Sequence, residues 1–454
     1  MKVILLSGGS GQRLWPLSND ARAKQFLKVL KNNDGQLESM VQRVWWQLAN
    51  VGLAASTLIS TGKSQVDVLQ NQLGNDVPLI IEPERRDTFP AIALAVSHLY
   101  SVQQASEDEI ISVLPVDPYV DDAFFEKVKE IEHVLIQSGA NLALLGVKPT
   151  YPSSKYGYIF PKHSLGKYLE VSHFIEKPTE EKAATLIREN ALWNCGVFSF
   201  KLGYLINLLK EKGLPIQYDA LVKNYHQIPK ISFDYEVVEK EKSIIALSYD
   251  GNWKDLGTWN TLTEEIADPI IGKGKLSDDS NHTHIINELE IPIMVLGKSN
   301  LVVAASSDGI LVADKEASPR LKELLGNFEQ RPMYEERRWG WYRVLDHSKS
   351  EGGQEILTKR IGLKAGRNLS YQIHYKRSEV WTIISGEGEF ILNDKIHRVG
   401  IGDVLQIPVG AKHAIKAIRD LEIIEVQLGT QLVEEDIIRL AMSWNEILDY
   451  IHNV

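Results

Sequence analysis

Two groups of residues in this chain have types and spacings suited to chemistry. The first is the turn Ser7-Gly8-Gly9-Ser10-Gly11, which follows the apolar run Val3–Leu6 and precedes Arg13 and Lys24. A glycine-rich turn exposes backbone N–H groups, and two cations beside it can neutralise a polyphosphate. The alternative is an ordinary strand–turn–helix with solvated charges. The second group is spread over two spacings, Gly366-x5-Gln372-x-His374-x4-Glu379-x6-Gly386 and Gly402-x5-Pro408-x-Gly410-x2-His413. Residues two apart on a strand share a face, so Gln372 and His374 point the same way. With Glu379 and His413 they offer two imidazoles, a carboxylate and an amide oxygen, a donor set suited to Zn²⁺ or another divalent metal.

Two common owners of a glycine turn are excluded by its details. A dinucleotide fingerprint needs G-x-G-x-x-G, but Gly9-Ser10-Gly11-Gln12-Arg13 runs into Leu14, so the third glycine is missing. A P-loop needs G-x-x-x-x-G-K-[ST]. The nearest candidate, Thr61-Gly62-Lys63-Ser64, has Thr57 in place of the first glycine and reads as a helix start after a strand.

The elements that must hold these residues come in three textures. Over 1–265, strand candidates (Val3–Leu6, Leu58–Ser60, Leu79–Ile81, Ile110–Leu114, Leu142–Val147) alternate with helical periodicity (Leu37–Leu48, Pro90–Tyr100, Phe124–Gln137, Glu180–Glu189). That alternation implies an α/β sheet covered on both faces, with ligands just beyond the carboxyl ends of its strands. Over 266–330, short strands at Ile293–Leu296, Leu301–Ala304 and Ile310–Val312 suggest a β-rich connector, followed by a helix at Lys315–Leu325. The polar stretch GNFEQRPMYEERRWG reads as a linker or docking arm. Over 331–454, recurrent turns between short apolar runs suggest a small antiparallel barrel, closed by a helix over Glu434–Tyr450.

Composition bounds the function. A chain of 454 residues exceeds one ordinary core, which implies two or three domains. A hydrophobic fraction of 44% is that of a globular protein. A net charge of −10 argues against a nucleic-acid surface. No run approaches the ~18 apolar residues of a membrane span. The single cysteine, Cys195, cannot form an internal disulfide, so a cytoplasmic enzyme is expected.

GGSGQRLWPLS followed by AKQFL resembles the signature of mannose-1-phosphate guanylyltransferases, within the wider sugar nucleotidyltransferases. IIEPERRDTFPAIALA, LPVDPYVDD, KYGYI, FIEKP, LWNCGVF, ISFDYEVVEK and WKDLGTW resemble later family blocks in order. The resemblance implies a Rossmann-like domain with a mixed sheet that makes GDP-mannose and pyrophosphate from GTP and mannose 1-phosphate, as a homodimer. It implies that Gly8, Gly9, Gly11, Arg13 and Lys24 hold the nucleotide, with Arg86 nearby. It implies that Asp117, just after the run Ile110–Leu114, and Asp255 hold the metal; paired carboxylates beside phosphates suit Mg²⁺. Glu176 and Asn194 then contact the sugar, Lys177 meets its phosphate, and Gly157 lets the backbone approach. Pro118 stands where the family usually has His, and Asp87 replaces the usual Asn. Cys195 reads as a packing residue, since nothing marks an activating base.

The two C-terminal spacings resemble the paired cupin motifs, with Gln372 in the place of the usual first histidine. Arg338–Tyr342, Gln372–Trp381 and Ile423–Gln427 resemble the mannose-6-phosphate isomerase domain fused to many guanylyltransferases. That implies mannose 6-phosphate as a second substrate and Arg377 as a phosphate ligand. Tyr375, Lys376 and Val380 replace histidines of the family pattern, so a cupin serving only stability or dimerisation stands beside the isomerase reading. For the whole chain, two other readings stay open: transfer to another hexose 1-phosphate, and a nucleotide-sugar sensor without turnover.

Overall fold

The computed structural model describes residues 1–9, 12–19, 21–164, 166–326, 331–433 and 436–452. Its first half runs β1 (Lys2–Leu6), α1 (Met40–Asn50), β2 (Thr57–Gly62), α2 (Val66–Leu73), β3 (Leu79–Glu82), α3 (Thr88–Ser101), β4 (Ile110–Pro115) and β5 (Pro118–Val120). There follow α4 (Asp122–Ser138), β6 (Leu142–Val147), β7 (Tyr158–Ser164), β8 (Leu169–Ile175), α5 (Glu180–Arg188) and β9 (Leu192–Lys201). α6 (Leu202–Glu211), α7 (Tyr218–Lys223), β10 (Ile244–Tyr249), β11 (Trp253–Asp255) and α8 (Trp259–Glu265) complete it.

Nine of these strands form one sheet in the order β3-β2-β1-β4-β9-β6-β10-β8-β7. β1 is parallel to both β2 and β4, and β9 runs antiparallel between β4 and β6, so the sheet is mixed. The strands are apolar on both faces because both are covered: Val3 and Leu5 enter one core while Ile4 enters the other. The strand order reverses beside β1, which opens a crevice at the carboxyl ends of β1 and β4. The helices are stopped by local chemistry. Ser39 and Gln42 make a reciprocal capping box at the start of α1, and Gly139 (φ 67°) takes the left-handed turn after α4.

Next come β12 (Ile270–Ile271), β13 (His284–Asn287), β14 (Leu301–Ser306), β15 (Gly309–Asp314) and α9 (Leu321–Leu325). The strands form a four-stranded sheet in sequence order. The expected helix over Lys315–Leu325 starts later than its periodicity suggests, at a 3-10 turn over Ser318–Arg320, because Pro319 lies in that turn. The connector shares a core with the signature segment: Leu14, Leu17, Trp259, Ile286, Val302 and Ala304 are buried together.

The last part holds β16 (Tyr334–Arg337), β17 (Gly340–Lys349), β18 (Glu355–Leu363), β19 (Tyr371–Ile373), β20 (Arg377–Ser385) and β21 (Glu387–Leu392). β22 (Lys395–Gly400), β23 (Val404–Ile407), β24 (His413–Ala417), β25 (Leu421–Gly429), β26 (Ile438–Ala441) and α10 (Trp444–His452) follow. They form a six-stranded sheet, β16-β17-β18-β25-β20-β23, facing a five-stranded one, β22-β21-β24-β19-β26. The expected closing helix over Glu434–Tyr450 is corrected here. Ile438–Ala441 is a strand paired with Tyr371–Ile373, and the helix begins only at Trp444, where Glu446 accepts from the amides of Met442 and Ser443.

The barrel is docked on the first domain through the polar arm. Asn71 of α2 donates to the carbonyls of Arg337 and Gly340, both at 2.6 Å. Glu336 accepts from Gln72 and Lys28, both at 3.2 Å. Arg22 makes a bidentate pair with Glu288 of the connector at 2.9 and 2.8 Å.

Candidate active site

The crevice beside β1 is a cleft of about 970 Å³. Gly8 and Gly9 form one wall, where Gln25 donates to the carbonyl of Ser7 (2.8 Å) and Gln65 to that of Gly9 (3.0 Å). These amide clamps hold the turn open with its backbone toward the cleft. Gly11 lies outside the described residues. Arg13 is exposed, and its charge helps hold the carboxyl of Asp255 in its ionised form.

Asp117 and Asp255 are brought together by a two-stranded ladder in which Pro118 of β5 stands opposite Asp255 of β11. A proline is tolerated on so short an edge pairing, and it fixes the chain immediately after Asp117. Lys24 bridges the pair, with Nζ 2.8 Å from Asp117 Oδ2 and 3.0 Å from Asp255 Oδ1. Burial opposes the charge on Lys24, but the two carboxylates outweigh it and raise its pKa. Burial also works against Asp255, and Lys24 followed by Arg13 overcomes it and lowers its pKa. The ammonium marks a point of strongly negative potential, which two carboxylate oxygens and open cleft space would offer equally to a hard cation.

The sugar-side residues meet behind Gly196 and Asp234, which line the cleft. Asn194 accepts the amide hydrogen of Gly196 (3.1 Å), which sits at φ 73°, and donates to Asp234 (3.0 Å). Its own amide donates to the carbonyl of Gly157 at 2.8 Å. A Cβ at Gly157 would fall 2.5 Å from Glu176 Oε2 and 2.3 Å from Phe174, so only glycine fits there. Glu176 is buried and paired with Lys177 Nζ at 2.6 Å; burial raises its pKa in spite of that lysine. Lys177 takes a left-handed backbone, φ 46°, the strained geometry found at functional positions. Arg86 lines the cleft while bound to Glu84 (2.7 Å) and the carbonyl of Ile228 (2.7 Å). Asp87 caps α3 from φ 74° by accepting from the amide of Thr88.

Several cleft residues are not singled out by the sequence, although Gln25 lies in AKQFL and Glu82 in IIEPERRDTFPAIALA. Gln25, Gln65 and Glu82 are buried polar side chains that a linear reading takes for surface. Lys63 and Ser64 belong to the segment read as a plain helix start; it is one, and it also lines the cleft. Asp234 opens a short π-helical turn, and burial with the nearby Glu176 pushes its carboxyl up to about 7. It lies in ISFDYEVVEK, a block that does not by itself single out one residue. Cys195 is buried and its thiol pushed up by that burial, consistent with packing.

The second constellation also converges. His374, Glu379 and His413 offer ligand atoms within 4.8 Å of one another, and none is more than 2% exposed. Each imidazole turns Nδ1 to a backbone carbonyl, His374 to Asp436 (3.4 Å) and His413 to Ala411 (3.1 Å). That arrangement aims both Nε2 atoms at the centre, the orientation a metal needs. Burial lowers His374 to about 4, so it is neutral there. Gln372, expected as a fourth ligand through its amide oxygen, instead turns its amide nitrogen toward His374 (3.3 Å) and His413 (3.4 Å) while its oxygen accepts from Ser370 (2.9 Å), so the converging donors are His374, Glu379 and His413. The donor set fits a divalent metal such as Zn²⁺.

Arg377, expected as a phosphate ligand, lines a cavity of about 280 Å³ in the barrel. It is 4% exposed and committed inward, donating to Glu379 Oε1 (2.9 Å) and the carbonyl of Val433 (3.1 Å). Its place on β20 two residues before Glu379 puts both on the interior face.

A glycine turn at the reversal point of a mixed sheet, lining a cleft together with Asp117, whose carboxylate shares Lys24 with Asp255, defines the class: an α/β enzyme that handles nucleotide phosphates, with a β-barrel appended. The chain belongs to the nucleotidyl transferase family, which it matches over residues 2–269, and within it to the mannose-1-phosphate guanylyltransferases. Residues 329–442 match the mannose-6-phosphate isomerase C-terminal family. A mannose-1-phosphate guanylyltransferase of Salmonella muenchen is 31% identical, covering 96% of this chain and 97% of its own. One from Escherichia coli K12 is 30% identical over 98% of both chains. A solved structure from Thermus thermophilus, described as a mannose-1-phosphate geranyltransferase, superposes with TM-score 0.60 at 28% identity, covering 72% of this chain and 99% of that one. Among the described residues no helix is long and apolar enough to cross a membrane.

Proposed function

We propose that this guanylyltransferase transfers GMP from GTP to mannose 1-phosphate, over a division of labour in which 1–265 transfers, 266–330 connects and 331–454 forms the barrel. The observation that carries the reading is Lys24 held between Asp117 and Asp255, with Asp117 lining the same cleft as Gly8 and Gly9. In this reading the turn's amides, with Gly11 and Arg13, hold the triphosphate, and Arg86 borders the nucleotide. Glu176 and Asn194 orient the sugar hydroxyls, and Lys177 meets the sugar phosphate.

The sugar phosphate oxygen attacks the α-phosphorus in line. A new P–O bond forms as the bond to the β-phosphate bridge breaks, and pyrophosphate leaves with the electron pair. Phosphoryl transfer needs positioning and charge neutralisation more than covalent help from the protein. Lys24 neutralises charge at the α-phosphate, and Arg13 draws off the leaving pyrophosphate. Asp117 and Asp255 would hold Mg²⁺, which supplies Lewis-acid polarisation of the phosphates. Incubation with GTP, Mg²⁺ and mannose 1-phosphate should release pyrophosphate stoichiometric with GDP-mannose. A panel of other nucleotides and hexose 1-phosphates checks the choice; preference for another pair, or tight binding without turnover, overturns it.

The His374–Glu379–His413 cluster favours a second reading, interconversion of mannose 6-phosphate and fructose 6-phosphate in the barrel. Such a step needs a base beside a metal-polarised carbonyl. The test is isomerisation by the full chain with added Zn²⁺, Co²⁺ or Mn²⁺, abolished by His413→Ala while pyrophosphate release survives. No isomerisation under any of the three leaves the barrel a scaffold.

A further inference from the structure

The sugar side reaches the nucleotide cleft at two residues, Gly196 of β9 and Asp234. The polar groups behind them are largely committed to the protein. Asn194 accepts the amide hydrogen of Gly196 (3.1 Å) and donates to Asp234 Oδ1 (3.0 Å). Its backbone amide is spent on the carbonyl of Gly157. Glu176 Oε1 holds Lys177 Nζ at 2.6 Å, and the Glu176 amide donates to Glu239 (2.9 Å). Asn194 and Glu176 thus make a rigid backing, and Asp234 is the carboxyl that stands in front of it at the cleft wall.

The chain around Asp234 is built to hold it still. Phe233, the residue before it, is fully buried, with ring centroids 5.0 Å from Phe198 and 5.8 Å from Phe200. The Phe233 amide donates to Thr88 Oγ1 of α3 at 2.8 Å. Asp234 then opens a single π-helical turn, Asp234–Val238, an irregularity that recurs at functional positions. A buried ring on one side and an amide clamp on the carboxyl preorganise the group.

Chemistry narrows what it can accept. Among the described side chains only Asn194 donates to this carboxyl. A carboxylate offers about four acceptor sites, so acceptor capacity remains. Burial, and after it the neighbouring Glu176, already oppose negative charge here. A phosphate is therefore disfavoured against Asp234, whereas neutral hydroxyl donors suit it. A site that hydrogen-bonds a hydroxyl strongly rejects the analogue lacking it.

Resting on the transferase reading above, we propose that Asp234 is a specificity residue of the sugar site, its carboxyl accepting a hydroxyl of the hexose 1-phosphate. Asn194 is then a positioning residue, acting on the sugar through Asp234.

The test is steady-state kinetics of the full chain, run as a cycle between Asp234 variants and monodeoxy analogues of mannose 1-phosphate. Asp234→Ala should raise KM for mannose 1-phosphate about 10–100-fold, as for loss of one hydrogen bond to a charged group, and leave KM for GTP within about twofold. One of the 2-, 3-, 4- and 6-deoxy analogues should lose a similar factor with wild type and nothing further with Asp234→Ala. Asp234→Asn, which keeps the shape and a neutral acceptor, should fall between the two, and it carries the cycle if the alanine variant misfolds. An unchanged KM for mannose 1-phosphate, additive losses for all four analogues, an equal rise in KM for GTP, or coupling to 2′-deoxy or 3′-deoxy GTP instead would overturn the assignment. Wild-type turnover without coupling sinks this inference alone. No wild-type turnover sinks the transferase reading as well.

Discussion

The nucleotide cleft and the barrel interior are built from the same kinds of side chain and treat them in opposite ways. In the cleft, the carboxylates of Asp117 and Asp255 keep about a third of their exposure and share one lysine across an open space. In the barrel, Glu379 is 1–2% exposed and is already contacted by Arg377, Trp381 and Gln427. The cleft keeps its charges wet and incompletely matched, so large charged ligands can enter and leave. The barrel buries Glu379 in close contacts with Arg377, Trp381 and Gln427. Removing one charge should therefore damage chemistry in the first case and stability in the second.

The largest effect should come from the sealed side. Glu379→Ala removes the closer carboxylate of the buried Arg377 and leaves it Asp436 at 3.8 Å, and breaking a buried pair in this way costs about 3–5 kcal/mol. Thermal unfolding should show it as a lowered midpoint of the barrel transition. An unchanged midpoint would mean that water reaches the interior and would erase the contrast. Next, Asp255→Asn should lower kcat for pyrophosphate release about 10²–10³-fold, the usual loss for one transition-state contact, with little change in melting. A large fall in stability with normal kcat would reverse the assignment.

Arg22→Gln tests the joint between the first domain and the connector. It breaks a bidentate charged pair with Glu288 and should cost about 1.5–3 kcal/mol, read as earlier separation of the transitions. The smallest effect concerns pH. The buried Asp234 carboxyl is raised to about 7, so the folded state holds a proton that the unfolded chain releases near 4. Its contribution to stability is present below pH 4 and is lost as pH rises toward 7. Asp234→Asn should shrink the fall in melting temperature between pH 5.5 and 8; an undiminished fall assigns that dependence to Glu425, which burial raises to about 7 in the barrel.

How far the sequence reached follows from the range of each interaction. The first-domain strands are legible because both their faces are buried, which leaves continuous apolar runs such as Leu142–Val147. The lysine between the two aspartates was only half legible: the three residues could be named, but their convergence spans 231 positions from Lys24 to Asp255 and depends on the ladder through Pro118. Helix boundaries slipped where tertiary pairing overrode periodicity. Leu37–Glu38 is extended before α1, and Ile438–Ala441 joins a sheet although its surroundings look helical. The pairing of Arg377 with Glu379 is not legible, because adjacency to a motif says nothing about inward pairing. Gln25 and Gln65 were invisible, since an amide holding a loop by its carbonyl oxygen looks like any surface glutamine.

One contact reaches beyond energetics. Gly309 of the connector, at φ 152°, lies so close to Trp15 that a Cβ there would sit 2.4 Å from the indole. On the same side Ser306 donates to the carbonyl of Pro16 at 2.7 Å, and Asp308 binds Asn19 at 2.8 Å. The signature segment is thus cast against a surface made about 290 residues later in the chain. A ribosome that has released only the first 265 residues has produced the cleft's letters without its backing plate. Transferase competence should therefore appear late in synthesis, once the connector has emerged, and a truncated first domain should be sticky at Trp15.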